Sequence, residues 1–133
     1  MLNYCLDSNA VSDFLNSNEK VTRNLLQALK NGDTFSIPAV VYYEVVRGLV
    51  TCKKYAKLRI FNSLYETATP LSMDEKVAKK AVEIYVKLHK GKLIEDNDIY
   101  IAAISIVNDC TLVTANTRHF ERVEGLNFVN WRE

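Results

Sequence analysis

Residues 94–120 read IEDNDIYIAAISIVNDCTLVTANTRHF, and this stretch decides the fold. It begins with three carboxylates in four positions: Glu95, Asp96 and Asp98. The nearly all-apolar residues that follow predict a buried helix at 99–107 and a buried strand at 111–115. The carboxylates then lie at the mouth of a core element, where charge that has been removed from water requires compensation.

The rest of the chain alternates between strand and helix patterns. Further strands are predicted at residues 1–6, 34–37, 67–71 and 127–129. Helical spacing of apolar side chains predicts helices at residues 10–15, 21–30, 39–50, 53–65, 73–91 and 118–123. Ser72-Met73-Asp74-Glu75 reads as a capping box that opens the longest of them. The alternation predicts a single α/β domain over residues 1–133, with four or five mainly parallel strands and helices on both faces.

Composition narrows the class of protein. The chain has 133 residues, is 48% hydrophobic and 25% charged, and carries a formal charge of +1, so a basic surface must be local. Three cysteines without a CxxC pair indicate a reduced, cytoplasmic protein. The longest apolar run is about half of the roughly 20 residues that a membrane span needs, which predicts no membrane segment.

Several polar side chains are predicted to meet at one edge of the sheet. Asp7 follows the first predicted strand, Glu44 lies in an apolar helix after the second, and Asp98 and Asn116 flank the last buried helix and strand. The carboxyl ends of parallel strands converge on one crevice. Carboxylates gathered there need positive charge, and hard oxygen ligands suit Mg²⁺ or Mn²⁺ rather than Zn²⁺.

Simpler interpretations compete with metal binding at each position. Asp7 is also a good N-cap for the helix that follows it. Glu44 has Arg47 one turn away, but such a pair contributes only about 0.2–0.5 kcal/mol, too little to explain a carboxylate among apolar residues. Acidic residues at a helix start are favoured by the helix dipole.

Geometry separates the three carboxylates at 95–98. Asp96 and Asp98 are two positions apart and cannot face the same point of a helix, whereas Glu95 and Asp98 can. We therefore expect Asp98 to bind the metal and Asp96 to cap the helix or support the site, and we leave Glu95 unassigned.

Five motifs together resemble one family. They are LDSN at 6–9, YYEVVRGL at 42–49, NDIYIAA at 97–103, TLVTANTRHF at 111–120 and EGLNFVNW at 124–131. This set resembles the PIN-domain nucleases and, within them, the VapC-like toxins of type II toxin–antitoxin pairs. The resemblance implies an endoribonuclease that depends on Mg²⁺ or Mn²⁺ and hydrolyses RNA phosphodiester bonds with a metal-activated water. It also implies a VapB-like antitoxin as partner and a homodimer.

The resemblance assigns roles residue by residue. Asp7, Glu44 and Asp98 match the acidic positions that bind metal and carry catalysis. Polar supporting positions are matched by Asn9, Thr114 and Asn116. His119 stands where many members carry a fourth acidic residue, so the number of metal ions, one or two, stays open.

Two further interpretations stay open, one of the function and one of a basic surface. A PIN-like scaffold that binds RNA or protein without turnover is compatible with the histidine at position 119. The lysine-rich face of residues 76–90 is usual for a solvated helix, and RNA binding there is a hypothesis.

Overall fold

The structure, a computed structural model, describes residues 1–133. Its strands are β1 (Asn3–Leu6), β2 (Thr34–Pro38), β3 (Thr69–Leu71), β4 (Thr111–Val113) and β5 (Phe128–Val129). Its helices are α1 (Ser8–Leu15), α2 (Glu19–Lys30), α3 (Ala39–Thr51), α4 (Tyr55–Thr67), α5 (Glu75–His89), α6 (Asp96–Val107) and α7 (Thr117–Phe120). The predicted α/β alternation is therefore confirmed.

The five strands form one sheet in the order β3-β2-β1-β4-β5, and every neighbouring pair is parallel. At the carboxyl edge Leu6 lies beside Val113, and Pro38 lies beside Leu71. The first residues of α1 and α3 follow directly from this edge. Because β1 is central, whatever follows it has neighbours from both halves of the sheet.

One cluster of 30 buried hydrophobic residues forms the core. The middle of α6 is buried all round, including Ile101, Ala102 and Ile104, which fits its nearly all-apolar sequence. Phe61 on α4 and Phe120 on α7 are fully buried and anchor those helices in the core. No helix has both the length and the hydrophobicity that a membrane crossing requires.

Two predicted boundaries shift for identifiable reasons. The strand expected at 111–115 ends at Val113. The Thr114 N–H still donates to the Val129 carbonyl at 3.0 Å, but the Ala115 N–H donates to the side chain of Asn9 at 3.0 Å, so the ladder goes no further. The strand expected at 67–71 begins at Thr69, because α4 continues through Thr67, whose hydroxyl donates to the Leu64 carbonyl at 2.8 Å.

The capping box predicted from Ser72 is wrong. Asp74 is the N-cap of α5, and its carboxylate accepts the Val77 N–H at 2.9 Å. Glu75 is then the first helical residue and pairs with Lys79 at 2.9 Å. Aspartate is among the strongest N-caps, so the helix begins two residues later than a serine cap would place it.

This assignment predicts unequal effects of two alanine substitutions. Asp74→Ala should lower the free energy of unfolding by about 1 kcal/mol, because the Val77 N–H loses its acceptor. Ser72→Ala, the matched control, should change it little. Urea unfolding measures the free energy of unfolding of both variants. An equal decrease from Ser72→Ala would show that Ser72 is the N-cap after all.

Candidate metal centre

Asp7 lies at the centre of the site, directly after β1. Its side chain is the N-cap of α1 and accepts the Ser8 N–H at 2.8 Å. The residue is only 3% exposed. A cap on a surface helix does not require such burial. Asp7 does cap α1, but capping alone does not explain why the residue is buried. The cap uses one carboxylate oxygen and leaves the second available for other contacts.

A polar network around that second oxygen joins α1 to the end of β4. The Thr114 hydroxyl donates to Asp7 Oδ2 at 2.8 Å, and Asn9 Nδ2 donates to the same oxygen at 3.2 Å. Asn9 Oδ1 accepts the Ala115 N–H at 3.0 Å, and Thr114 Oγ1 accepts the Asn116 N–H at 3.0 Å. Asn9 and Thr114 thus fix the orientation of the Asp7 carboxylate.

Asp98 lies in the first turn of α6 and has a different kind of partner. His119 Nδ1, on α7, lies 2.9 Å from Asp98 Oδ2. An ionised carboxylate only accepts, so the imidazole N–H on Nδ1 donates. The Asp98 side chain is 14% exposed and that of His119 is 49% exposed. His119 is therefore more than a surface histidine: it holds one oxygen of Asp98.

Glu44 is the least constrained carboxylate of the three. It is half-buried on α3 and forms no salt bridge with Arg47. The Arg47 guanidinium instead lies over the ring of Tyr43, at 4.9 Å from its centroid. The simple ion pair considered for Glu44 is thus not formed.

Electrostatics connects the three carboxylates. Burial raises the pKa of Asp7, with a further increase from the charge of Asp98, despite the opposing hydrogen bonds of Thr114, Ser8 and Asn9. Burial also raises the pKa of Glu44, and the charges of Asp7 and Asp98 raise it further, while Arg47 lowers it. The carboxylates thus lie within one another's electrostatic fields, and no lysine or arginine forms a salt bridge with any of the three.

The donor set fits a magnesium-type ion better than a zinc-type ion. As the side chains stand, no three Asp, Glu, His or Cys residues lie close enough together to hold a metal ion between them. Zn²⁺ in structural sites requires a closed set of four ligands. Mg²⁺ is commonly held by one or two carboxylates, with water and phosphate oxygens completing its shell. An open group of oxygen ligands therefore suits Mg²⁺ or Mn²⁺.

The remaining predicted residues lie at the edge of this group. The capping role expected of Asp96 is wrong, because Glu95 is the N-cap of α6 and Asp96 is its first helical residue. Asp96 is exposed and borders a separate apolar cavity of about 540 Å³ beside Ile99 and Tyr100, not the Asp7 network. Asn116 is exposed and contacts the network through its backbone N–H. Glu95 is exposed, yet its charge contributes to the raised pKa of Glu44.

Sequence reasoning missed two features of this site. The direct contact of His119 with Asp98 has no local signature, since 21 positions separate the two residues. The electrostatic contribution of Glu95 was also not expected, although its i, i+3 spacing from Asp98 was a usable signal.

Comparison with known proteins identifies the family. A sequence model of the PIN domain matches residues 4–126. Ribonuclease VapC2 of Rickettsia felis is 32% identical over 133 residues, which cover 96% of this chain and 97% of the relative. Ribonuclease VapC1 of Methanocaldococcus jannaschii is 37% identical over 94 residues, which cover 70% of this chain and 65% of that protein.

Solved structures agree. The fold matches VapBC2 from Rickettsia felis bound to a DNA fragment from its promoter, with a TM-score of 0.85 and 29% identity over 98% of this chain and 99% of that one. It also matches VapBC-1 from nontypeable Haemophilus influenzae, with a TM-score of 0.84 over 99% and 100% of the two chains; at 23% identity that likeness concerns the fold alone. The chain belongs to the PIN-domain family and, within it, to the VapC proteins.

Proposed function

We propose that the chain is a metal-dependent endoribonuclease, the toxin of a toxin–antitoxin pair. The observation that carries the proposal is that Asp7, Glu44 and Asp98, from three separate segments, lie within one another's electrostatic fields: burial first, and then the charges of the other carboxylates, raise the pKa of Asp7 and Glu44. Groups whose pKa values are shifted by burial and by neighbouring charges cluster at functional sites. A bound cation would relieve the repulsion among these carboxylates. The relatives named as ribonucleases supply the substrate class.

Each carboxylate has a distinct part in this proposal. Asp7, Glu44 and Asp98 would hold Mg²⁺ or Mn²⁺, which when bound lowers the pKa of water and neutralises charge on a phosphodiester. Thr114 and Asn9 keep Asp7 in one orientation through hydrogen bonds of 2.8 and 3.2 Å. Glu44, which has no fixed partner, is free to move towards the ion.

His119 acts in this site as a positioning residue. Its N–H holds Asp98 Oδ2 at 2.9 Å and leaves Oδ1 for the metal. An acidic residue at position 119 would instead add a ligand and a negative charge. We therefore infer a site for one ion, with His119 serving as the outer partner that orients its ligand.

Two partners belong to the same proposal. A VapB-like antitoxin is supported by the VapBC2 structure of Rickettsia felis. A homodimer is supported by a row of exposed apolar side chains on α5, made by Val82, Tyr85 and Val86. Rows of this kind are typical of helix contacts between subunits. The setting proposed for both is the cytoplasm.

Cleavage of RNA tests the central claim. Wild-type protein should cleave RNA with Mg²⁺ or Mn²⁺, and cleavage should stop in EDTA. The cleavage rates of Asp7→Asn and Asp98→Asn should each fall about 100-fold or more, as they do when an electrostatic catalytic group is lost. Asp109→Asn, an exposed carboxylate that precedes β4, is the matched control and should retain activity. Cleavage that persists in EDTA would contradict the mechanism, and Mn²⁺ binding without any cleavage would favour the scaffold alternative.

Stability without metal gives an independent test of the repulsion. Because the pKa of Glu44 is raised in the folded state, its ionised form destabilises the fold, and this penalty disappears as pH falls through that pKa. Glu44→Gln should therefore raise the free energy of unfolding at neutral pH by less than about 1 kcal/mol, seen as a slightly higher melting temperature. Near about pH 4 the substitution should give no gain. Glu66→Gln, an exposed control, should not show this pH dependence.

Calorimetric titration with Mn²⁺ tests the role of His119. We expect one ion per chain in the wild type and a loss of about 10- to 100-fold in affinity for His119→Ala, because Asp98 loses its orienting donor. His119→Asn should restore most of the affinity, since its amide N–H can reach the position of Nδ1. Wild-type affinity in His119→Ala would exclude the positioning role.

A further inference from the structure

A polar groove of about 250 Å³ runs from Glu44 between α1, α3 and the start of α4. The α1 wall carries Ser12 and Asn16, and two lysines, Lys54 and Lys57, line the α4 side. Glu44 is the only acidic side chain along it. The groove thus joins the carboxylate site to a pair of cations.

Lys57 is held inside this groove. Its residue is half-buried, and its Nζ donates to Asn16 Oδ1 at 2.5 Å. The amide oxygen is a neutral acceptor, so it orients the ammonium without cancelling its charge. Neither Lys57 nor Lys54 forms a salt bridge. A positioned cation without an acidic partner is arranged to receive an anion.

The lysines of α5 are used differently. Lys79 pairs with Glu75 at 2.9 Å, Lys80 pairs with Glu83 at 3.1 Å, and Lys87 pairs with Glu124 at 2.6 Å. Most of the positive charge on that helix is therefore locally neutralised. The RNA-binding hypothesis based on its lysine-rich sequence is weaker than one based on the groove.

Gly48 keeps the groove open. It lies on the groove wall in the middle of α3, and a Cβ atom added there would meet nothing within 4 Å. Glycine in a helix interior is unfavourable relative to alanine. The open space beside Gly48 is thus the place where a side chain would obstruct the groove without disturbing the core.

We propose that this groove binds the phosphate backbone of a single-stranded segment of RNA next to the scissile bond, with Lys54 and Lys57 contacting phosphates. The inference rests on the proposed function and adds the path of the substrate. An RNA chain whose scissile phosphodiester lies at Glu44 must continue along the protein surface on both sides of that bond. For this reason RNA is favoured over an acidic protein segment as the occupant of the groove. From Glu44 to Cys52, α3 advances about 12 Å at about 1.5 Å per residue, enough for a short stretch of backbone.

The test measures binding without cleavage. In an Asp98→Asn background with EDTA, a fluorescein-labelled single-stranded RNA of mixed sequence is titrated at several salt concentrations, since phosphate contacts are independent of sequence. Lys54→Gln with Lys57→Gln should weaken binding about 10-fold and reduce the salt slope by about 1 to 1.4. Lys76→Gln with Lys90→Gln removes the same charge from α5 and should do neither.

A second pair of variants changes shape without changing charge. Gly48→Leu should block the groove and weaken binding, whereas Gly48→Ala should bind like the parent, because its Cβ meets nothing. Equal affinity and salt slope in the groove and α5 lysine variants would overturn the inference and leave the groove for an acidic protein partner. Failure of the parent and of every variant to bind RNA would also overturn the inference, whereas the proposed function is decided by the cleavage assay, in which Mg²⁺ or Mn²⁺ is present.

Discussion

The hydrogen bonds that hold the buried Asp7 carboxylate are the constraint on which the rest of the site depends. They come from the Ser8 amide, the Thr114 hydroxyl and the Asn9 amide, so they connect β1, α1 and the segment after β4. Together they lower the pKa of Asp7, yet burial still raises it. The fold therefore carries a destabilising charge at its centre, as proteins do where function requires a group that stability alone would exclude.

Sheet topology decides which side chains share that charge. β1 is the middle strand, with β2 on one side and β4 on the other. The end of β2 leads into α3 and Glu44, and the end of β4 leads into Thr114 and α7. At an edge strand Asp7 would have had neighbours on one side only. The parallel arrangement thus turns residues separated by up to 107 positions into one hydrogen-bonded group.

The sequence allowed prediction of most elements, because strand and helix periodicity are local signals. It also indicated that Asp7, Glu44 and Asp98 share one region, and the charge of Asp98 does raise the pKa of the other two; their role as metal ligands stays a prediction. The sequence did not allow prediction of the contact between His119 and Asp98, which depends on how Phe120 anchors α7 against the core. The cap of α5 was misplaced because Ser72 and Asp74 are both good caps, and only the end of β3 at Leu71 and the loop after it decide between them.

Charge distribution, rather than net charge, distinguishes the two basic surfaces of this protein. A formal charge of +1 gives no general attraction for nucleic acid. On α5, Lys79 and Lys80 pair with glutamates three or four positions away and Lys87 pairs with Glu124, so the fields of these lysines are short-ranged. In the groove a neutral asparagine holds Lys57, and its field extends into the space that ends at Glu44. A polyanion would therefore meet attraction along the groove and repulsion at the carboxylates, where the proposed metal ion would reverse the sign.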